Sequence, residues 1–261
     1  MAADLGAVLT PGFLASVHDF WFAHLHDSSA RRIVPDVADT RVWFEEDEEF
    51  DRECVTRFST PLATILSLTP TPQAILAATT RSTPHHWLSL ILFFDALPRK
   101  VYHGTATRMV YTYFDPVAQH IALRAIQLRI PQHPDMRYRH AYRFWFYMPL
   151  QHAETLCLHD RVAELHGEMF VETWALVNGR PGSVNRKKGA GDADVEVCRK
   201  EMIERRGELE MWERMLKRRC EEYREVVRRF GRFPDRNGVL GRVATGEEEE
   251  YLRQREGGLG V

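Results

Sequence analysis

Hydrophobic residues recur at intervals of three or four positions along almost all of this chain. That spacing places them on one face of an α-helix, whereas a half-buried strand would show strict alternation over several residues. No alternating run of useful length occurs, so the sequence predicts an all-α protein with at least eight helices and essentially no sheet. The first helix is expected to start at the Thr-Pro pair 10–11. A second covers residues 44–58 and continues to a break at 69–72. Further helices are expected over 73–80, 87–97 and 115–129, and two more, divided near Pro149, over 138–177.

Residues 178–193 depart from this pattern, because they are rich in Gly, Asn, Arg and Lys. Such a segment buries too little apolar surface to offset the entropy of ordering it. We therefore predict a mobile surface insertion that trypsin cuts first at residues 186–188. An apolar stripe over 195–230, which Gly207 is expected to interrupt, completes a predicted single helical domain over residues 1–261.

Composition and charge narrow the range of partners. The chain has 261 residues, of which 28% are charged, and a formal net charge of −2. This balance does not favour binding to nucleic acid or to an anionic membrane, which require a basic excess. Four cysteines without a CxxC pair are typical of thiols in a reducing compartment. Since neither a basic leader nor a membrane-length apolar run is present, we expect a cytoplasmic protein. The expected partner is a small-molecule substrate. A protein partner and the oligomeric state are left open.

The segment 230–242 concentrates polar and flexible residues near the end of the chain. It places three arginines, an asparagine and three glycines around a Phe-Pro corner. The pattern Thr-x-x-Glu at 245–248 then predicts a capping box at the start of a helix. Arg232 and Arg236 either brace the turn or contact a ligand. The bracing role is favoured for Arg236, because its neighbour Asn237 can cap backbone groups, and both interpretations stay open for Arg232. If Arg236 neutralises a buried carboxylate such as that of Asp95, its replacement by alanine is expected to cost about 3–5 kcal/mol.

Several short blocks, in order along nearly the whole chain, resemble a known family. They are residues 20–22, 43–44 with 50–51, 90–95 leading into 98–99, 104–105, 150–154 and 230–242. In this order they resemble the family catalogued as domain of unknown function 924. The resemblance implies antiparallel helix pairs stacked into a tetratricopeptide-like superhelix with a concave pocket. It implies no established activity, and a fold alone does not define one.

The chain also departs from the family pattern at three places. Where the family reads Arg-Gly, residues 103–104 read His-Gly. Where the family reads Asp-Gln-Phe-Pro-Arg-Asn, residues 95–100 read Asp-Ala-Leu-Pro-Arg-Lys. Where the family reads His-Ser-Glu-Asp, residues 152–155 read His-Ala-Glu-Thr. These differences suggest a retained scaffold with an altered pocket.

No metal and no cofactor is predicted. The sequence lacks HExxH, GxSxG, GxGxxG and the phosphate-loop pattern. His152, His159 and His166 would share one helical face, but each step of seven residues rises about 10.5 Å. Ligands of a single ion lie at about 2 Å from it, so one straight helix cannot bring these three histidines to one metal.

The candidate chemistry is therefore an acid–base and ion-pair set. The predicted catalytic residues are Asp95, His152 and Glu154; the predicted substrate-binding residues are Arg99, Arg232 and Arg236, with aromatic walls from Trp21, Trp43, Phe44, Trp87 and Trp145. A carboxylate at the end of an apolar helix is either paired or a perturbed titrating group. The alternative is that Asp95 forms a core-locking ion pair with an arginine of segment 230–242 and that each aromatic residue belongs to the core.

These residues favour a cofactor-independent enzyme of the isomerase, cyclase or lyase type that shapes an apolar substrate in an aromatic-lined pocket. Holding a substrate in its reactive conformer requires neither a nucleophile nor a metal. An arginine would anchor a carboxylate or polarise a carbonyl, and His152 would transfer a proton. The alternative is a protein-interaction module of helical-repeat type without catalysis, and a third option is a binding protein without turnover.

Overall fold

The computed structural model describes residues 5–25, 29–45, 47–179 and 191–257, and over these residues the chain is helical with no β-strand. In chain order the α-helices are α1 (Leu5–Val8), α2 (Pro11–Trp21), α3 (Ser29–Ile33), α4 (Val37–Phe44), α5 (Glu48–Leu68), α6 (Pro72–Ala78), α7 (Pro84–Phe94), α8 (Ala96–Val101), α9 (Thr107–Met109), α10 (Asp115–Gln127), α11 (Pro134–Arg137), α12 (His140–Arg143), α13 (Met148–Gln151), α14 (Leu156–Val177), α15 (Gly191–Glu204), α16 (Arg206–Phe230), α17 (Asn237–Leu240) and α18 (Gly246–Gly257). Turns of 3₁₀ helix lie at Ala23–Leu25, Gly104–Ala106, Ile130–Gln132, Phe144–Phe146 and Pro234–Arg236, and a π-helical turn spans Val110–Phe114. The all-α prediction is confirmed, whereas most of the predicted insertion at 178–193 lies outside the described residues.

Thr-Pro pairs set the start of three helices. Thr10 caps α2, because its Oγ1 accepts a hydrogen bond from the Phe13 backbone N–H at 3.1 Å. The Thr-Pro pairs at 71–72 and 83–84 begin α6 and α7 in the same way. Proline fits the first helical position, where its missing N–H would have no intrahelical acceptor. The start predicted at residues 10–11 is therefore confirmed.

Several predicted helix boundaries differ from the structure by a few residues. The helix expected from residue 44 begins instead at Glu48. The Asp47 carboxylate accepts hydrogen bonds from the backbone N–H groups of Glu49 and Phe50, and so caps the first turn of α5. Pro149 lies inside the first turn of α13, so the division before α14 falls at residues 152–155 instead. The break in the stripe over 195–230 falls at Arg205 rather than at Gly207.

Helix α7 forms the centre of the core. Every residue from Trp87 to Phe94 is buried, as expected for a helix that is apolar on all faces. It packs against α2 and α10, while α5 packs against α8 and α14 against α16. The predicted helix over 87–97 is interrupted at Asp95, which ends α7 and begins α8. The Asp95 carboxylate is therefore buried in the core at the junction of α7 and α8.

Candidate functional site

Asp95 and His152 form a hydrogen-bonded pair at the C-terminal end of α7. Asp95 Oδ1 lies 2.7 Å from Nδ1 of His152, which directly follows α13. The Asp95 side chain is 1% exposed, whereas the His152 side chain retains 11% exposure. The pair therefore combines a buried carboxylate with an imidazole that still reaches the surface. Two of the three predicted catalytic residues are brought together.

Charge keeps Asp95 ionised despite its burial. Burial would raise the pKa of this carboxyl, but His152 and Arg99 outweigh that effect and hold the pKa below its usual value. An ionised carboxylate only accepts hydrogen bonds, so Nδ1 of His152 is assigned as the donor. In the neutral imidazole the other ring nitrogen, Nε2, then carries the lone pair.

Arg99 connects this pair to a second buried carboxylate. Its Nη2 lies 2.5 Å from Asp115 Oδ1 and 3.7 Å from Asp95 Oδ1. Arg236 reaches the other oxygen of Asp115 at 3.5 Å. The alternative that Asp95 pairs with an arginine of segment 230–242 is therefore wrong, because Arg236 pairs with Asp115. Arg99 itself is occupied by two carboxylates, so its guanidinium holds the network together.

Arg236 is also held by aromatic rings. Its guanidinium carbon lies 4.5 Å from the ring centroids of both Tyr111 and Phe233. Arg236 is 7% exposed. Cation–π contacts of this kind are strongest where the cation is desolvated. These contacts favour the bracing interpretation of Arg236 over ligand contact.

Glu154 lies two residues after His152 but is engaged elsewhere. Its carboxylate accepts two hydrogen bonds from Arg242, at 2.9 and 2.7 Å, and one from the Phe233 backbone N–H at 2.9 Å. Burial would raise the pKa of Glu154, but these donors outweigh it and lower the pKa. The structure therefore places Glu154 as the anchor of segment 230–242 rather than within the Asp95–His152 pair.

Arg232 also braces the C-terminal segment. It donates to Glu248 through Nε at 2.6 Å and through Nη2 at 2.8 Å. Glu248 in turn accepts from the Thr245 backbone N–H, and Thr245 Oγ1 accepts from the Glu248 N–H. The predicted capping box is confirmed. An arginine in a bidentate pair has few donors left for a ligand.

The predicted aromatic residues pack against one another in the interior. Trp145 contacts Trp21, Trp43 and Phe44 with ring centroids 5.2, 5.5 and 5.7 Å away. Trp43 donates its indole N–H to the Trp21 carbonyl at 3.2 Å. Trp87 is separate from this cluster, with an arginine guanidinium 4.7 Å from its ring centroid. All four tryptophans are at most 5% exposed.

Two cavities open between other residues. One, of about 390 Å³, is lined by His18, Asp19, Ser29, Arg32, Ile33, His85, Asp135, Arg139, Tyr142, Asp194 and Val197. The other, of about 720 Å³, is lined by Ser16, Asp19, Phe20, Ala23, His24, Val42, Asp47, Glu49, Phe50, Glu53 and Arg57. None of the predicted site residues lines either cavity.

Three residues that contact the predicted site residues were not predicted from the sequence. They are Asp115, Tyr111 and Arg242. Asp115 carries a weak signal, because it stands at the start of a predicted amphipathic helix. Arg242 lies in the segment already singled out, yet nothing in its local sequence indicates a pairing with Glu154, 88 residues away. Such partners are chosen by tertiary packing.

In the described ranges, no group of three or more His, Cys, Asp or Glu side chains is placed to hold a metal ion. Among the helices that the structure describes, none combines the length and the apolar character needed to cross a membrane.

Comparison with known proteins gives a family and a fold. The family model described as a bacterial protein of unknown function, DUF924, matches residues 17–256. The structure of a protein of unknown function, ATU0120 from Agrobacterium tumefaciens, is similar with a TM-score of 0.58 and 24% sequence identity. The match covers 93% of this chain and 98% of that one, and it extends to the fold alone. No curated protein matches the chain.

Proposed function

Because the chain belongs to the DUF924 family of bacterial proteins of unknown function, whose description names no reaction, we propose a function from the geometry of the Asp95–His152 pair. The protein is a cofactor-independent enzyme that moves a proton on a small molecule. The observation that carries this proposal is the 2.7 Å hydrogen bond between a fully buried Asp95 and a His152 that remains partly exposed.

The pair has the arrangement of a general base held by a carboxylate. With Nδ1–H donated to Asp95, Nε2 of His152 accepts a proton from a substrate C–H or O–H group. Asp95 stays ionised and stabilises the imidazolium that forms. The imidazolium then returns the proton to a different atom of the same molecule or to a leaving group, which completes an isomerisation, cyclisation or elimination. A positioned acid–base group of this kind contributes about 10²–10⁴-fold to a rate.

The surrounding charges keep Asp95 available to His152. Asp95 Oδ2 has no hydrogen-bond partner among the described residues. Arg99 lies farther from Asp95 Oδ1 than His152 does, at 3.7 Å against 2.7 Å, and it is closer to Asp115. His152 is therefore the dominant partner of Asp95. This arrangement supports a role in orienting the imidazole in addition to a structural one.

The aromatic-lined pocket and the concave superhelix remain predictions. The proposal does not depend on either, because it is argued from the Asp95–His152 pair, whereas Trp21, Trp43, Phe44 and Trp145 pack on one another.

Deuterium incorporation tests the proposal for any substrate that takes up a proton from solvent. The purified protein is incubated in D₂O with a water-soluble metabolite extract, and mass spectrometry follows deuterium uptake and product formation. At least one metabolite is expected to exchange or convert. The His152→Gln variant is expected to lower that rate by about 10²–10⁴-fold, and Asp95→Asn to lower it through loss of the correct tautomer.

The control is His120→Gln, a substitution of a histidine on the outer face of α10 whose ring lies 3.4 Å from Gln73. It is expected to leave the rate unchanged. An equal rate in wild type and His152→Gln contradicts the proposal. If no metabolite is altered by the wild-type protein, the alternative of a protein-interaction module is favoured.

A further inference from the structure

A polar cavity lies at the opposite end of α7 from the Asp95–His152 pair. It has a volume of about 390 Å³, within the range of small-molecule sites, which is roughly 300–1,000 Å³. His85, in the first turn of α7, lines it. Asp95 follows ten residues later, which corresponds to about 15 Å along a helix. The cavity is therefore a separate site, and its role is independent of the proposed function.

One wall of the cavity is built from three rings that can form hydrogen bonds. His18 and His85 lie with ring centroids 4.9 Å apart at 83°, and both approach Tyr142, at 5.2 and 5.9 Å. Burial lowers the pKa of His85 to about 4, with neighbouring His18 acting in the same direction. His85 is therefore uncharged at neutral pH, when its ring nitrogens donate one hydrogen bond and accept another.

Arg32 supplies a positive charge to this cavity. Among the described residues it forms no ion pair, whereas the other lining arginine, Arg139, donates to both carboxylate oxygens of Asp194 at 2.7 and 3.2 Å. Burial raises the pKa of the Tyr142 phenol, and Arg32 opposes that rise through its charge and through a side-chain hydrogen bond that it donates to the phenol oxygen. The remaining N–H groups of the Arg32 guanidinium are not engaged by a carboxylate of the described residues. A half-buried guanidinium without a carboxylate has its bidentate donors available for one.

Two further carboxylates stand at the rim. The side chain of Asp19 is 67% exposed and that of Asp135 is 52% exposed. Each lies near a histidine, His18 at 3.3 Å and His133 at 3.5 Å. Besides the Arg139–Asp194 pair, the cavity therefore presents the guanidinium of Arg32 and the exposed carboxylates of Asp19 and Asp135, each of which also lies near a histidine. A purely anionic ligand would meet repulsion there, and a purely cationic one would meet Arg32.

We propose that this cavity binds a free zwitterionic α-amino acid. Arg32 binds the carboxylate and the rim carboxylates of Asp19 and Asp135 receive the ammonium group. Tyr142 and His85 complete the hydrogen bonds inside, and the apolar lining residues Ile33 and Val197 contact the amino-acid side chain. Both charges of the ligand are matched by this arrangement, whereas a ligand with one charge leaves a lining group of the same sign uncompensated.

Thermal unfolding in the presence of each of the 20 proteinogenic amino acids, at about 10 mM, identifies the ligand by mass action. At least one amino acid is expected to raise the unfolding temperature. Its carboxamide, which lacks the carboxylate, and its N-acetyl derivative, which lacks the ammonium, are then compared by calorimetric titration. Each derivative is expected to bind at least about tenfold more weakly, as a lost charged hydrogen bond predicts. These comparisons use the wild-type protein and do not depend on whether any variant folds.

Arg32→Gln is expected to weaken binding of the amino acid by about 10–100-fold. Arg41→Gln is the matched control, because Arg41 is 68% exposed and lies outside the cavity. His152→Gln is expected to bind the amino acid with unchanged affinity, which separates this site from the Asp95–His152 pair. The proposal is overturned if none of the amino acids binds, if the derivatives bind as tightly as the amino acid, or if Arg32→Gln retains wild-type affinity.

Discussion

The polar groups that surround the two ends of α7 differ in their burial and in how their charges are paired. At the C-terminal end, the charges of Asp95, Arg99 and Asp115 are paired with one another within 3.7 Å. At the N-terminal end, Arg32 has no ion pair among the described residues, and His85 is neutral. The first end resembles a locked network and the second an open site.

The difference in charge pairing indicates which role each end of α7 can have. A buried ion needs a partner in fixed geometry, since otherwise the cost of removing it from water is not offset. Such pairing fixes the position of Asp95 and therefore of the His152 ring. A guanidinium at a cavity wall that pairs with no carboxylate leaves its donors to a ligand instead. Substitutions at the two ends should therefore differ in their effects on stability and on binding.

Arg99→Ala is expected to have the largest effect on stability, a loss of about 3–5 kcal/mol in the free energy of unfolding. Arg99 contacts both Asp95 and Asp115, whose side chains are 1% and 3% exposed. After its removal, the only remaining cation near Asp115 in the described network is Arg236, at 3.5 Å. Urea unfolding measures the change. A loss below about 1 kcal/mol would show that these charges do not lock the C-terminal end of α7.

Arg236→Ala is expected to cost less, about 2–3 kcal/mol, because Asp115 keeps Arg99 at 2.5 Å. What is lost is the weaker contact to Asp115 and the stacking on Tyr111 and Phe233. The sequence alone favoured a larger loss through a stranded Asp95, and the structure removes that reason. If Arg236→Ala unfolds the protein more readily than Arg99→Ala, the roles of the two arginines are reversed.

Much of the helical content could be predicted from the sequence, because local signals determine it. The Thr-Pro starts and the Thr245–Glu248 capping box involve residues within three positions of each other. Helix boundaries were harder to predict where a neighbouring side chain caps the backbone. Asp47 is an example, since its carboxylate caps α5 three residues after the residue where α4 ends.

The candidate site was predictable only in part. Asp95 was identified because it ends an apolar helix, and His152 because it follows Pro149 and Leu150 near a predicted helix start. Their pairing, however, spans 57 residues. The pairing of Glu154 with Arg242 and of Asp115 with Arg99 likewise depends on how helices pack. For the aromatic residues the sequence left core and pocket open, because a tryptophan in a core and a tryptophan in a pocket have the same local sequence pattern.

Acidification is expected to affect the two ends of α7 in different pH windows. His85 has a usual pKa of 6.5, and burial lowers it to about 4. Between these values the unfolded chain binds a proton that the folded chain does not, so stability falls as the pH drops from 6.5 to 4. The full shift would correspond to about 3.4 kcal/mol. Because the His85 ring is only partly buried and solvent screens its interactions, we expect a smaller loss, on the order of 1–2 kcal/mol, in this window.

Asp95 behaves differently, because its pKa lies below its usual value of 3.8. Its contribution to stability is present above pH 3.8 and is lost as the pH falls further. His85→Gln is therefore expected to reduce the loss of stability between pH 6.5 and 4 without removing it, because burial lowers the pKa values of His140 and His166 to about 3 and both contribute to the same window. The fall below pH 3.8 is expected to remain. The charged groups that face His85 are Asp135, Arg139, His18 and His133. An unchanged profile in His85→Gln would assign the upper window to one of the other histidines.

Arg32→Gln is expected to have the smallest effect on folding, within about 0.5 kcal/mol of wild type. The substitution breaks no ion pair among the described residues, and glutamine keeps a polar group beside Tyr142. Urea unfolding at neutral pH, alongside Arg99→Ala, gives the direct comparison between the two ends of α7. A loss above about 1 kcal/mol would mean that Arg32 supports the fold as Arg99 does. A stable variant with weakened amino-acid binding would instead assign the Arg32 guanidinium to a ligand. A charged side chain contributes to folding mainly when another charge of the protein pairs with it, and Arg32 has no such pair among the described residues.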